Sequence, residues 1–351
     1  MKLNMKLLFS NLVVCFLLYT TTSNSQNKLT VKDSINTFYS KLFEELKANY
    51  LYTKQVDWPS IESYTLKEAL KHKTLEESLE ASVKLFDTIQ GKHLIVFSGK
   101  NWYNTSKLGK QLTADMFNKS VLDAYENKKP FETKVIQKNY GYVFIPGMLL
   151  KDATRQQLDE AAKNIYDAIV EIDKSHNIKG WIIDLRLNVG GNSNVMLTGL
   201  YHLLGNGATY VSLDTDEHVK ILDSFHEGVM YENHKEKCAV TITTKPKPHI
   251  PVALLSGVLT NSAGEFVILG FRGRKNAIVI GEESYGNTTA NDMYDLPFGI
   301  KAAITQSKAT DRSAKFTKTI IPDIEVIKKT NFEDLSKDQN IIEAMKFINS
   351  F

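Results

Sequence analysis

The chain has 351 residues, of which 42% are hydrophobic and 24% charged, with a formal net charge of +3 at pH 7. This near-neutral balance gives no electrostatic case for binding nucleic acid or an anionic membrane surface. A chain of this length can bury a core of its own. Its two cysteines are Cys15, which lies in the apolar leader, and Cys238. Removal of that leader would leave one cysteine, which excludes an internal disulfide and a thiolate metal cluster.

The first residues have the pattern of a targeting segment. Lys2 and Lys6 precede a mostly apolar stretch at 7–19, and small polar residues follow it. This order predicts a signal peptide over 1–25, and therefore an exported protein, periplasmic or secreted. The stretch is too short to span a bilayer as a helix, and a buried N-terminal helix is the alternative. Cys15 lies within the apolar run instead of at a cleavage site, which disfavours lipidation.

Residues 26–92 are predicted to form a helical N-terminal subdomain. Phe38, Leu42 and Leu46 recur at helical spacing, and Pro59 interrupts the pattern. We expect roughly two to four helices here. Residues 93–139 form a connecting mixed segment with short apolar runs.

From residue 140 the pattern alternates between short apolar runs and amphipathic stretches. Such alternation predicts an α/β fold, in which helices pack on a mostly parallel sheet. The polar segment 206–249 interrupts it, as an insertion or a β-rich excursion, and a C-terminal helix is expected within 331–351. The predicted strands are 142–145, 180–184, 251–255 and 277–280, and the predicted helices are 153–172, 195–204 and 262–270.

Two loops follow predicted strands, where open α/β sheets place their sites. The first, 184–192, contains Gly190 and Gly191, whose backbone N–H groups can approach a ligand closely at the start of a helix. The second places Ser262 between a strand and a helix, with the N–H of Ala263 beside it. Together they could supply a nucleophile and an oxyanion site. The alternatives are a tight turn for the glycines and a helix N-cap for the serine.

Four motifs in order strengthen the catalytic interpretation. They are Asp-Leu-Arg-x-Asn-x-Gly-Gly at 184–191, Thr-x-Ser-Ala-Gly-Glu at 260–265, Gly-Glu-x-x-x-Gly at 281–286 and Pro-Asp-Ile at 322–324. Together they resemble the tail-specific, or C-terminal processing, peptidases and the related tricorn core.

The resemblance covers roughly 140–326 and implies a ClpP/crotonase-like sheet within a catalytic domain at 140–330. It implies that Ser262 is the nucleophile of a serine peptidase. It also implies that Ala263 and the Gly190-Gly191 loop form the oxyanion hole, whereas Glu265 is expected to be structural.

The expected general base departs from the best-known members, in which a lysine follows the Gly-Glu-x-x-x-Gly motif. Asn287 occupies that position and cannot accept the serine proton. The surrounding residues resemble a branch without this lysine, in which a histidine upstream of the sheet domain serves. His93 is the candidate base, and a surface histidine at a strand start is the alternative. Glu283, Asp292 and Asp311 are candidates for the acid that orients it.

The predicted partner is a peptide or protein substrate, with no nucleic acid and no integral membrane domain. Only 49 positions separate His93 from Tyr142, which is short for a PDZ domain before the sheet. The sequence has no His-Glu-x-x-His motif, and the proposed chemistry needs no metal or cofactor. The missing lysine keeps open a non-catalytic ligand-binding protein on the same fold, since retinoid carriers of the eye resemble this family.

Overall fold

The computed structural model describes residues 29–106 and 110–351. The predicted signal peptide at 1–25 and Cys15 lie outside the described residues. The helices within this part of the chain are α1 (Val31–Asn49), α2 (Trp58–Ala69), α3 (Leu75–Ser78), α4 (Glu80–Thr88), α5 (Lys119–Glu126), α6 (Arg155–Ser175), α7 (Ser193–Gly199), α8 (Tyr201–Leu204), α9 (Ala263–Phe271) and α10 (Gln339–Ile348).

The strands are short and fall into two sheets. They are β1 (Ile95–Ser98), β2 (Asn101–Asn104), β3 (Glu132–Ile136), β4 (Tyr140–Phe144), β5 (Gly180–Asp184), β6 (Gly207–Leu213), β7 (Val219–His226), β8 (Val229–Glu232), β9 (Lys235–Ala239), β10 (Val252–Ser256), β11 (Ala277–Gly281), β12 (Thr289–Asp295), β13 (Lys301–Thr310) and β14 (Ile324–Glu325).

The first sheet has the order β14-β11-β10-β5-β4-β3, and only β3 runs antiparallel to its neighbour. Every residue of β4, β5 and β10 is buried, because helices cover both faces of the sheet. Alternate side chains therefore enter different cores. Ile183 packs with residues of α6, α7 and α9, whereas Ile182 packs with residues of α5 and α10.

The second sheet is antiparallel, with the order β2-β1-β13-β6-β7-β8-β9 and β12 paired to β13. The segment 206–249 contributes β6 to β9, so it extends this sheet. The N-terminal helices pack against its other end, where Phe38 and Leu42 share a core with Val96 and Ile304. Their amphipathic pattern is thus explained by burial against the sheet, and Thr30 begins α1 with a capping box to Asp33.

These elements confirm the predicted fold class: an α/β protein with a largely parallel sheet and a helical N-terminal region. Within 29–106 and 110–351, none of the helices combines the length and the apolar character needed to cross a membrane. The carboxyl ends of β5 and β10 meet the antiparallel sheet at a cavity, which contains the predicted functional loops.

Candidate active site

Ser262 is the residue immediately before α9, in the loop that follows β10. Its backbone has φ 51° and ψ −115°, a conformation that non-glycine residues rarely adopt. Such backbone strain costs roughly 1–3 kcal/mol and is concentrated at functional sites. The side chain remains partly exposed and lines a cavity of about 700 Å³. The geometry therefore presents the serine hydroxyl to a ligand, at a cost in backbone energy.

A buried carboxylate holds this serine in place. Glu265 accepts hydrogen bonds from the N–H groups of Ser262 (2.8 Å), Asn287 (2.9 Å) and Gly286 (3.0 Å) and from the Ser284 hydroxyl. Burial raises the pKa of Glu265 to about 7, and these hydrogen bonds act in the opposite direction. The carboxylate thus ties the start of α9 to the loop after β11. Its position agrees with the structural role expected from the sequence.

The glycine loop after β5 lies directly against Ser262. A Cβ atom built on Gly190 would be 3.0 Å from Ser262 Cβ and 3.6 Å from its Oγ. Gly190 also has φ +109°, which disfavours any L side chain. The loops are joined by a hydrogen bond from the Asn261 N–H to the Asn188 carbonyl, at 2.9 Å. Only glycine fits at this close approach.

Asn188 shapes the glycine loop from within. Its side-chain amide donates to the carbonyl groups of Ile145 and Pro146, and its Oδ1 accepts the N–H of Gly190 at 3.0 Å. Gly190 is predicted as an oxyanion donor, but its N–H already donates a hydrogen bond to Asn188. Gly191 has φ +124°, and a Cβ there would lie 2.2 Å from the Met148 carbonyl oxygen.

Two backbone N–H groups beside Ser262 have no acceptor in the part of the chain that the structure describes. They belong to Gly191, next to the committed Gly190, and to Ala263, the first residue of α9. Both residues line the same cavity as Ser262. The N-terminus of α9 adds positive potential there. These donors are suited to a developing negative charge on a ligand oxygen.

A buried charge network supports the glycine loop at its base. Arg186 binds Asp184 through two hydrogen bonds (2.9 and 2.6 Å) and Asp338 through a third (2.6 Å). The guanidinium also lies over the Phe332 ring, 4.6 Å from its centre. All three charged side chains are buried, so each depends on its partners. The Asp-Leu-Arg part of the motif therefore anchors β5 to α10.

His93 lies just before β1 and lines the same cavity as Ser262. Its Nδ1 is 3.1 Å from the Thr289 hydroxyl, and its carbonyl accepts a hydrogen bond from the Asn291 amide at 2.7 Å. Burial lowers the pKa of His93 to about 4, although hydrogen bonding at Thr289 opposes the shift. The imidazole is therefore neutral at pH 7, which is the state that a proton acceptor requires.

The three acids considered as partners for this histidine lie at different places. Asp292 is exposed and lines the same cavity, whereas Glu283 is exposed and lines a neighbouring cavity that also contains His93. Asp311 accepts N–H groups from Ser313 and Lys315, so it shapes a turn. Across 29–106 and 110–351, no acidic side chain forms a hydrogen bond or an ion pair with His93.

Two residues that support the candidate active site were not anticipated from the sequence. Thr289, the partner of His93, lies 196 positions away in β12, and nothing in its neighbourhood marks it. Asn188 is part of the first motif, and its side-chain amide could have been expected to hold a glycine-rich turn. Asn287 contributes its backbone N–H to Glu265 and lines the cavity at the position of the missing lysine.

The remaining cavity wall combines aromatic and aliphatic side chains with polar and charged ones. Phe97 and Trp102 stack edge to face, with ring centres 5.3 Å apart, and Phe266 lines the wall beside Ser262. A cavity of this size and character accommodates amino-acid side chains. A strained serine, free backbone donors and a neutral imidazole around one such cavity are typical of serine hydrolases.

A comparison with protein families identifies this class more closely. The family described as peptidase family S41 matches residues 139–326, which is more than half of the chain. The chain therefore belongs to peptidase family S41. This finding confirms the resemblance to tail-specific peptidases, and it supports a serine-type peptidase at the level of the family.

Individual relatives are more distant. A nisin-resistance protein from Lactococcus lactis subsp. lactis is 24% identical over 277 residues, which cover 78% of each chain. A solved lipoprotein structure from Streptococcus agalactiae is 20% identical with a TM-score of 0.65, covering 90% of this chain and 96% of that one. The photosystem II D1 C-terminal processing protease is 13% identical with a TM-score of 0.53, covering 87% and 96%. At these identities the solved structures show a shared fold.

Proposed function

We propose that this protein is an active serine peptidase that hydrolyses peptide bonds in exported proteins or peptides. Ser262 is the nucleophile, and the observation that carries the proposal is its strained backbone at the start of α9, facing the glycine loop. A serine that served only as an N-cap would have extended backbone angles, as Thr30 and Thr154 have at the starts of α1 and α6.

In this mechanism the Ser262 hydroxyl attacks the carbonyl carbon of the scissile peptide bond. His93 accepts the hydroxyl proton and later returns it to the leaving amine. If Nδ1 donates its proton to the Thr289 hydroxyl, Nε2 carries the free lone pair and is the basic nitrogen. Thr289 then orients the imidazole in the role that an acid would fill. The absence of a charged partner is consistent with the low pKa of His93.

The tetrahedral intermediate needs donors for its oxyanion. Gly191 and Ala263 supply them, since their N–H groups line the cavity without an acceptor among the described residues. Gly190 contributes by allowing the loop to approach Ser262, because its own N–H is bonded to Asn188. The sequence predicts an oxyanion hole formed by Gly190, Gly191 and Ala263. We assign its two N–H donors to Gly191 and Ala263.

An exported location is part of the proposal. The signal-peptide pattern at 1–25 supports it, and so does the similarity to a protein described as a lipoprotein. The relative named for nisin resistance favours a peptide as the substrate.

The test compares purified wild type with Ser262→Ala on fluorogenic peptides and on a fluorophosphonate probe. We expect Ser262→Ala to lose peptide hydrolysis by at least about 10³-fold and to lose labelling. Ser350→Ala is the control, because this exposed serine lies beyond α10, where its hydroxyl donates a hydrogen bond to the Phe347 carbonyl. Undiminished hydrolysis by Ser262→Ala would overturn the proposal. An unlabelled but correctly folded wild type would favour a ligand-binding protein instead.

A further inference from the structure

The wall of the cavity opposite the parallel sheet contains buried polar side chains with atoms that lack a hydrogen-bond partner among the described residues. Asp223 on β7, Ser212 on β6 and Ser307 on β13 each line the cavity, and each is at most 1% exposed. Asp223 Oδ1 and the two serine hydroxyls have no hydrogen-bond partner among the residues described. Ser212 pairs in register with Ile221 on β7, so it is a diagonal neighbour of Asp223 on the same face, about 7–8 Å away. Ser307 lies on the far side of Ser212, two residues before Ala309, the residue of β13 that pairs with Ser212, so it is too distant to share a ligand group with Asp223.

Buried polar atoms destabilise the folded protein unless they have a hydrogen-bond partner. A buried polar group without a partner costs about 1–3 kcal/mol, and nearly all buried polar groups in native proteins are paired. A carboxylate oxygen accepts hydrogen bonds only, and the hydroxyl groups can accept as well. A ligand group with several donors would satisfy both Asp223 Oδ1 and the Ser212 hydroxyl, which are diagonal neighbours. An ammonium has three N–H donors and a guanidinium has five.

The charges around this patch point to a cation. Asp223 is paired in register with Glu232 on β8, and Lys237 on β9 binds Glu232 at 3.1 Å. Two carboxyl groups therefore share one ammonium, so Asp223 has no cation of its own. Burial raises the pKa of Asp223 to about 8, and the charge of Glu232 adds to the shift, whereas Lys237 and a hydrogen bond with Tyr210 on β6 oppose it.

The patch is connected to the nucleophile through two aromatic rings. Tyr210 packs against Phe266 of α9 with ring centres 5.6 Å apart, and Phe266 is one helical turn after Ser262. Tyr210 in turn lies beside Asp223. Ser262 and Asp223 thus belong to one continuous cavity, with the aromatic pair between them. A substrate bound for cleavage at Ser262 can place a side chain on this patch.

We propose that Asp223, with Ser212, forms a subsite for a lysine or arginine side chain of the substrate. This deepens the proposed peptidase function and rests on it for the peptide nature of the ligand. The cation is the charge partner that the ionised Asp223 lacks, and it donates to the two unpaired acceptors. The Tyr210–Phe266 pair contacts the apolar part of the same side chain.

The test measures binding separately from hydrolysis. The Ser262→Ala protein is titrated by calorimetry with peptides in which one position carries lysine or its uncharged analogue norleucine, scanned along the peptide. Arginine and citrulline form the second pair. We expect one position at which the cationic peptide binds at least about tenfold tighter than its neutral analogue. Absence of any such position would overturn the proposal.

Asp223→Asn in the same background should abolish this preference and leave the affinity for the norleucine peptide unchanged. Glu227→Gln is the matched control, because this exposed glutamate in the β7–β8 turn does not line the cavity. If Asp223→Asn does not fold, Ser212→Ala replaces it, with a smaller loss of preference expected. A preference that survives the variant that folds would contradict the assignment.

The pH dependence gives an independent readout. Below pH 8 the Asp223 carboxyl is protonated in the free protein, so a cation must displace that proton in order to bind. Affinity for the lysine peptide should therefore rise with pH, by up to about tenfold per unit below pH 8. The norleucine peptide should show no such rise, and a flat profile for the lysine peptide would count against the subsite.

The outcomes for the two proposals are separable. Fluorophosphonate labelling of wild type without any preference for a cation removes the subsite alone. A preference that depends on Asp223 in a protein that never labels removes the peptidase proposal and retains a binding site for cationic peptides.

Discussion

Replacing Gly190 by alanine tests the close approach of the two loops. The added Cβ would meet Ser262 Cβ at 3.0 Å and the Asn261 carbonyl oxygen at 3.3 Å. These contacts are closer than ordinary ones, so the loops must separate by a few tenths of an ångström. A misplacement of about 1 Å can lower a rate roughly 10²-fold, so a smaller displacement has a smaller effect. We therefore expect Gly190→Ala to lower the rate of fluorophosphonate labelling and kcat/KM by about 3- to 10-fold.

Gly207 provides a matched control for the backbone strain in that experiment. Its φ is +111°, against +109° at Gly190, but an added Cβ there meets nothing within 4 Å. Both alanine variants should lose roughly 1–3 kcal/mol of unfolding free energy, measured by urea denaturation. Only Gly190→Ala should lose activity beyond that shared effect. Equal labelling rates for the two variants would refute the inference that Gly190 sets the position of Ser262.

Three further predictions concern the base and the supports of the site. His93, with its pKa near 4, is protonated only below that value. In the Glu265→Gln variant, where the carboxyl with a pKa near 7 no longer titrates, kcat/KM for an uncharged peptide should stay level from pH 8 to pH 5 and fall with a midpoint near 4; a midpoint near 6.5 would contradict this. Glu265→Gln should slow labelling of Ser262 by about tenfold or more, because one amide oxygen cannot serve all four donors; an unchanged labelling rate would show that the carboxylate does not position the serine. Arg186→Leu should lower the free energy of unfolding by about 3–5 kcal/mol in urea titrations, since two buried carboxylates lose their partner. Lys163→Leu, which removes an exposed ion pair, should change it by less than about 1 kcal/mol, and similar losses for the two variants would argue against the buried network.

The parallel sheet and the position of Ser262 between a strand and a helix could be predicted because their signals are local. The strands β4, β5 and β10 are continuous apolar runs, since both of their faces are buried. The residues of the serine loop and of the glycine loop each follow such a strand within a few positions. The order of the motifs then sufficed to indicate the family, which the family comparison confirms.

The residues around His93, the proposed base, could not be predicted from local sequence. His93 meets Thr289 only because β1 and β12 both pair with β13, and these strands are distant in the sequence. A single threonine with no charge gives no signal that it orients an imidazole. The assignments of His93 and of the nucleophile remain predictions until the chemistry is measured.

The sequence pattern predicts only part of the antiparallel sheet. The sequence predicts an insertion or a β-rich excursion for 206–249 because this segment is polar and interrupts the alternating pattern. That polarity reflects its position, since β7 presents Asp223 to the cavity from the inner face and exposed residues from the outer face. The polar residues of this segment made its strands difficult to predict. One of them, Asp223, is also the residue that suggests a subsite for a cation.

The most direct test of the central claim is to locate the fluorophosphonate adduct by mass spectrometry of digested wild-type protein. Activation of Ser262 predicts a single modified peptide that contains residue 262, with no adduct in Ser262→Ala and a much slower reaction in His93→Ala. An adduct on a different serine would contradict the assignment of the nucleophile, as would a folded wild-type protein that forms none.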